Sequence, residues 1–391
     1  MEVKIRTLTP IWTGDIDQKS DLLQSSGITG SLRWWTEAIL RSENRYSCDP
    51  TSDEEKCPKE KAYCFACLVF GATGIRRTFR LNVSGGKSVF PGSTLSIKHS
   101  GRNRGWYLGS GIVGEINLKI TPLDKGFDES LIFLPLILVS KWGGIGAKTQ
   151  HGYGVVKIEK CPKIDFERFR KAIEKITNQQ RLSKLRIELR HGSNNGFPDL
   201  REMFFAKVQF EAEKDWWKKV NGIAPRAQDN YRGYVDDPRM RSWINSGSVP
   251  VAPAIKNWLR YGNGAGLWKT TNQNRRIENW LFGTIKYGKI ASKINVSCAY
   301  PVNNNLWEFR IWGWIPKDGL PAGFDRDGFL DNLKQALDGG GSVTVSWNEL
   351  LGDQTRNHTL KVWREFDSSR DTVKPNETNI SSYIQSLLEG S

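Results

Sequence analysis

A chain of 391 residues is longer than one hydrophobic core usually supports, so two domains are expected. Hydrophobic residues at 38% and charged residues at 25% argue against a long disordered segment, and the longest apolar run, Leu131 to Val139, falls far short of the roughly 20 residues that span a bilayer. Lys and Arg number 57 against 42 Asp and Glu, and the resulting +15 suits association with a polyanion without distinguishing RNA, DNA and anionic lipid.

In chain order, residues 2–8 alternate charged and apolar residues as a half-buried strand does, with no signal-peptide apolar region after them, so an intracellular, cytoplasmic protein is expected. Gly30-Ser31 offers a cap for a helix over Leu32–Leu40, which places Arg33 in its first turn. A cation there opposes the helix dipole, so either an anionic ligand or a local carboxylate must compensate it. A polar segment from Cys48 to Lys61 reads as a surface insertion. Strands are expected over 76–83, 93–98 and 115–121, with the basic loop 99–104 between two of them. A helix over Ser130–Trp142 and a strand over Val155–Ile158 complete an order that fits an elaborated split β-α-β unit. Beyond it come a helix over 165–178 and a cationic stretch over 181–192. Near the end come a helix over 327–337, a strand over Val343–Trp347 and a helix over 379–389.

Between the helix ending at Trp142 and the strand at Val155 lies Gly143-Gly144-Ile145-Gly146-Ala147-Lys148-Thr149-Gln150-His151-Gly152-Tyr153-Gly154. Five glycines permit positive φ and close backbone approach, while Lys148, Gln150 and His151 supply donors, a combination suited to a sugar-phosphate backbone. The alternative is a turn that only turns. The loop lacks the order of a nucleotide-triphosphate or dinucleotide fingerprint.

The second half carries an echo of the first. Leu32-Arg33-Trp34-Trp35, Leu68-Val69-Phe70-Gly71 and Leu81-Asn82-Val83-Ser84 correspond to Ile255-Lys256-Asn257-Trp258, Trp280-Leu281-Phe282-Gly283 and Ile294-Asn295-Val296-Ser297. Two copies of one fold would produce this pattern, and coincidence in a chain with 16 tryptophans is the alternative. An α+β class follows, with residues 1–160 and 161–391 as the two units.

Cys48, Cys57, Cys64 and Cys67 fall close together, and three readings stay open: a structural zinc site, a labile disulfide, or free core cysteines. Apart from zinc in the first of these readings, no cofactor is expected. Cys161 and Cys298 are solitary and read as structural. Four histidines leave few general bases, so a catalytic reading rests on His151 or on Asp15 and Asp17 holding a metal.

Leu8-Thr9-Pro10-Ile11-Trp12-Thr13-Gly14, Ile28-Thr29-Gly30-Ser31-Leu32-Arg33-Trp34-Trp35, Cys67-Leu68-Val69-Phe70-Gly71 and Gly143-Gly144-Ile145-Gly146-Ala147-Lys148-Thr149 together resemble the RAMP superfamily of CRISPR proteins. The Leu-Arg-Trp-Trp segment and the length are similar, more narrowly, to the first-subunit family of the type III-B Cmr RNA-guided effector complex. The resemblance implies two ferredoxin-like (RRM-like) βαββαβ domains with insertions. It also implies a non-catalytic role in holding the 3′ region of CRISPR RNA and target RNA beside other Cmr subunits, with no membrane partner. By that resemblance Arg33 and the loop from Gly143 to Gly154 would face RNA, so the expected RNA-contacting residues are Arg33, Gly143, Gly144, Gly146, Lys148, Gln150 and His151, with Lys141, Arg76 and Arg77 added as nearby cations. The family commonly has Arg-Gly ahead of the Leu-Arg helix where this chain has Thr29-Gly30, so one expected cation is missing. Two other functions stay open beside RNA binding: an endoribonuclease using His151 or Asp15, and a protein-protein scaffold.

Overall fold

The computed structural model describes residues 1–390 apart from 91, 101, 103, 104, 161, 162, 270–273 and 287. Four antiparallel strands, β1 (Glu2–Thr7), β2 (Phe79–Ser88), β3 (Ile112–Pro122) and β4 (Val156–Ile158), form a first sheet in the order β2-β3-β1-β4. The alternation read in the sequence is literal in β1, where Val3, Ile5 and Thr7 point inward and Glu2, Lys4 and Arg6 outward. Helices α1 (Ser25–Ser42) and α2 (Phe65–Phe70) come between β1 and β2, and α3 (Ser130–Trp142) between β3 and β4. Every residue of α3 except Lys141 is buried, and a helix apolar on all sides must be enclosed on all sides. It is covered by α1, by α4 (Phe166–Ile176) and by the helix near the carboxyl end. Each Leu or Ile buried this way contributes about 1.5–3 kcal/mol.

The second sheet contains β5 (Met203–Ala212), β6 (Ile294–Val296), β7 (Leu306–Trp314) and β8 (Thr355–Glu365) in the order β6-β7-β5-β8. Its pairings are again antiparallel. In both sheets the second strand lies at one edge, followed by the third, the first and the fourth. Helices α5 (Ala252–Tyr261) and α6 (Asn274–Phe282) precede β6, and α7 (Arg326–Leu337) precedes β8. The sequence echo therefore falls on matching elements, Leu32–Trp35 in α1 with Ile255–Trp258 in α5, and Leu81–Val83 in β2 with Ile294–Val296 in β6. The two short helices end alike, at Gly71 with φ +84° and Gly283 with φ +78°, a backbone that favours glycine. Finally α8 (Ile380–Glu389) returns to pack on α3.

The halves are joined at the carboxyl end of α3. Arg310, buried on β7, donates through Nη1 to Ser140 O at 2.9 Å and Gly143 O at 3.1 Å, satisfying carbonyls that a helix end leaves open. Trp35 stacks on Phe205 of β5 with centroids 6.1 Å apart.

Three expectations change. Helix α1 begins at Ser25, capped at Gln24 rather than at Gly30-Ser31, so Arg33 sits in mid-helix and the dipole argument for an anionic partner there falls away. Residues 343–346 form no strand and Trp347 opens a short helix to Leu351; the fourth strand of that sheet is β8, farther along. The cationic stretch at 181–192 is partly internal, since Arg181 pairs with Asp124 at 3.0 Å and Arg190 with Glu55 at 3.1 Å. Cys161, and residues 101, 103 and 104 of the basic loop, lie outside the described residues. Among the described residues no helix is long and apolar enough to cross a membrane.

Candidate nucleic-acid interface

The glycine-rich loop leaves α3 at Gly143 and folds back on the first sheet. Its glycines make room for protein. A Cβ on Gly143 would strike the Trp35 ring, one on Gly144 would lie 2.9 Å from Tyr153 O, and one on Gly146 2.6 Å from Trp12 O. Gly152, at φ +104°, packs against the second half, where a Cβ would stand 2.8 Å from Cys298 N. Backbone bonds fix the same path: Ala147 N donates to Trp12 O at 2.8 Å, Gly154 N to Pro10 O at 2.8 Å, and Cys298 N to Gly152 O at 3.0 Å. Gly143, Gly144, Gly152 and Gly154 are buried, and the accessible part of the loop is its tip, Gly146 to His151.

At that tip Lys148 adopts a left-handed conformation at φ +55°, and its Nζ lies 4.0 Å from the centre of the Trp12 ring. Partial burial lowers its pKa from the usual lysine value. Thr149 donates through Oγ1 to Asn295 Oδ1 at 2.9 Å, fastening the tip to β6. His151 meets the edge of Trp106 at 5.3 Å, and its Nδ1 has no hydrogen-bond partner. Burial, with the nearby charges of Lys256 and Lys148 adding to it, depresses its pKa to about 3, so the imidazole is neutral at physiological pH.

Two grooves flank this tip, and Gln150 lines both. One, of about 480 Å³, runs between Gly27, Gly30, Ser31 and Trp34 of α1 and Ser292, Asn295 and Trp312 of the second half. The other, of about 670 Å³, is walled by Arg102, Trp106, Tyr107, Arg260, Tyr261, Arg275 and Lys286 beside His151; Glu278, paired with Arg260 at 2.9 Å, also lines it, and the Lys256 behind it is buried. Tyr107 is 59% exposed, and the Arg102 guanidinium lies 3.5 Å from the Tyr261 ring centre. Cations beside accessible rings can bind a phosphate backbone and stack unpaired bases. The sequence reading did not single out Trp106, Tyr107, Arg260 or Arg275. They converge because the hairpin of Thr94–Ile97 with Trp106–Gly109 leans toward α5 and α6, a contact between distant segments that no local spacing announces.

The remaining expected contacts lie elsewhere. Arg33 is largely buried, ion-paired to Glu37 at 2.7 Å, and donates to Gly71 O at 3.2 Å and Cys67 Sγ at 3.1 Å. Arg76 is exposed and donates to Leu123 O at 3.2 Å; neither it nor Arg77 lines either groove. Lys141 donates to Glu389 O at 2.8 Å. Asp15 accepts from the backbone of Asp17 at 3.0 Å and Lys19 at 2.8 Å, closing its own exposed turn.

Apart from the grooves, Cys48, Cys57, Cys64 and Cys67 are all buried with their sulfurs within 4.8 Å of one another, a set able to coordinate a metal ion. Hydrogen bonds within the quartet, and one from Cys64 N to Cys57, hold the Cys48 and Cys57 thiols below the usual value, while those same contacts and burial push Cys64 and Cys67 up.

Residues 4–157 match the family model of the RAMP superfamily. The RAMP-matching segment takes in nearly all of the first sheet, α1 to α3 and the whole glycine-rich loop. No curated protein matches the chain. Solved structures that align with it include the crystal structure of apo Cmr1 from Pyrococcus furiosus, at 13% identity over 82% of this chain and 89% of that one, with a TM-score of 0.37. A chain of the type III-B Cmr-beta assembly, bound to cognate target RNA and AMPPnP in the presence of ssDNA, aligns at 13% identity over 81% and 96%, TM-score 0.34. A chain of the Cmr-beta assembly bound to cognate target RNA aligns at 12% identity over 80% and 94%, TM-score 0.33.

Proposed function

We propose that this chain is a non-catalytic RNA-binding subunit of a type III-B CRISPR RNA-guided effector complex, contacting the 3′ region of the CRISPR RNA and the target RNA, with other Cmr subunits as neighbours. The observation that carries the reading is the loop tip, Gly146 to His151, which lies inside the RAMP-matching segment and stands between two grooves, one of them lined with cations and rings. The shared strand order of the two sheets supports two ferredoxin-like units over 1–160 and 161–391, with α4 and α8 of the later residues packed on the first. In this reading Lys148 and Gln150 meet the RNA backbone, and Tyr107 and Trp34 offer stacking faces.

Filter binding of single-stranded RNA across a salt series tests it. Log K should fall linearly with log salt, and Lys148→Ala should make the slope shallower by about 0.7, the share of one phosphate contact. Binding indifferent to salt would remove the proposal. A histidine-assisted endoribonuclease is the second reading, favoured by the unpartnered Nδ1 of neutral His151 beside the basic groove. Cutting of RNA by the purified chain, abolished by His151→Ala with binding retained, would select it.

A further inference from the structure

We infer that Cys48, Cys57, Cys64 and Cys67 bind one zinc ion in a closed structural site, and that Arg33 and Arg190 hold that site together by donating to its sulfurs. Geometry comes first. Cys48 Sγ lies 3.6 Å from both Cys67 Sγ and Cys64 Sγ, and all four sulfurs fall within 4.8 Å of one another. A tetrahedron with zinc-sulfur bonds of about 2.3 Å has edges of about 3.8 Å, whereas a disulfide needs about 2.05 Å. Cysteines packed only as small apolar groups have no reason to meet four at a time.

The surroundings are those of thiolates. Arg33 Nη2 stands 3.1 Å from Cys67 Sγ and 3.9 Å from Cys48 Sγ, Arg190 Nη1 stands 3.8 Å from Cys57 Sγ, and Cys64 N donates to Cys57 Sγ at 3.3 Å. Four thiolates around a divalent ion carry a net double negative charge, and two guanidiniums aimed at the sulfurs answer it. Arg33 also pairs with Glu37 at 2.7 Å and Arg190 with Glu55 at 3.1 Å, so each guanidinium bridges a sulfur of the quartet to a carboxylate and is held in place on both sides. Partners beyond the metal ligands commonly orient the ligands and tune the ion in this way.

The site would also do a mechanical task. Its ligands come from three segments: Cys48 beyond α1, Cys57 within the polar insertion, and Cys64 and Cys67 at the start of α2. The insertion between them is mostly exposed and has little core of its own. Arg190 further ties in the segment that leads toward β5, because its N donates to Tyr63 O at 2.9 Å and its Nη1 to Glu55 O at 2.7 Å. With all four positions taken by buried sulfur no water can bind the ion, so the site is structural rather than catalytic.

Elemental analysis of the full chain, purified without chelator, should find one zinc per chain, and Cys48→Ser or Cys64→Ser should lose it. Should those variants fail to fold, the unmodified chain still decides the matter. Titration with a mercurial should release zinc as four thiols react, and Co²⁺ exchanged into the chain should show the sulfur-to-cobalt charge transfer of a tetrahedral thiolate site. A folded chain that holds no metal and gives no such band, or one whose four cysteines form disulfides, overturns the inference. In competition with a chelator, Arg33→Gln should lower zinc affinity about 10–100-fold, with Arg33→Lys recovering part of it. Unchanged affinity in Arg33→Gln would overturn the arginine's assigned role. All of these readouts are taken without RNA, so they stand or fall apart from the proposed function.

Discussion

The two halves meet the same constructional problem at matching corners and solve it with different chemistry. In each, a tryptophan of the helix after the first strand lies against a glycine that has no room for a Cβ, although the glycines differ in place: Trp35 meets Gly143 at the end of α3, and Trp258 meets Gly264 in the turn after its own helix. In each, an arginine ties the short helix back, Arg33 to Gly71 O at 3.2 Å and Arg260 to Phe282 O at 3.5 Å. Around these shared contacts the first corner gathers four sulfurs. The second is closed by rings, with Trp268 and Phe282 centred 5.8 Å apart, and Trp268 Nε1 donating to Leu259 O at 2.8 Å. Arg260 takes over that tie from another position, because the residue that the sequence echo aligns with Arg33 is the fully buried Lys256, donating to Ser292 Oγ at 2.9 Å and Ile294 O at 3.1 Å. The fold requires that the short helix be fastened, and leaves the fastening chemistry free.

The largest test of this equivalence is truncation of the paired tryptophans. Trp35→Ala and Trp258→Ala should each lower unfolding free energy by about 3–5 kcal/mol in urea titrations, because each leaves a large cavity beside a glycine that cannot fill it. A large loss at one site and none at the other would break the comparison. A smaller effect sharpens it. Arg260→Gln removes a charge-assisted bond to Glu278, at 2.9 Å and largely buried, and should cost about 1.5–3 kcal/mol while leaving metal content untouched.

The smallest effect is one of pH. Burial, and secondarily the charge of Arg260, lower the Lys256 pKa to about 7. The unfolded chain therefore holds a proton that the folded chain has given up between pH 7 and about 10.4. Stability of the second corner should rise with pH across that window, by up to about 1.4 kcal/mol per pH unit, and fade as pH falls through 7. Lys256→Met should flatten that limb in thermal melts. His151, depressed to about 3, has the same sign in a lower window, so its contribution is lost as pH falls below about 6.5.

How much of this was legible beforehand varies by element for physical reasons. The ends of helix α3 are legible in the sequence because a nearly all-apolar run ending in Gly-Gly permits little else, but Pro135, which reads as a break or bend, sits inside one continuous helix, and the strand after the loop starts at Val156 rather than Val155. The start of α1 was missed because Gly27 and Gly30 each cost a helix about 1 kcal/mol relative to alanine and so read as a boundary. The structure keeps Gly27 in the helix because a Cβ there would come within 2.9 Å of Thr13 Cβ, and Gly30 lines a groove. That single error moved Arg33 to a helix start and pointed it at a ligand. The cysteine quartet was legible as residues but not as geometry, since ligands drawn from three segments have no regular spacing. Long β5 and β8 went unread, their partners being about a hundred or more residues away, at a distance where local pattern carries no register.

The return of α8 to α3, with Trp142 Nε1 donating to Leu387 O at 2.8 Å, has a consequence for how the molecule assembles. Tyr383, Ile384 and Leu387 are wholly enclosed in the core that also holds Ile5, Leu32 and Leu134. During synthesis the earlier-made half must therefore wait, with one side of its most apolar helix uncovered, until the second sheet has been made and α8 has followed it. The later half acts in this sense as the strap of a clasp whose buckle was made first.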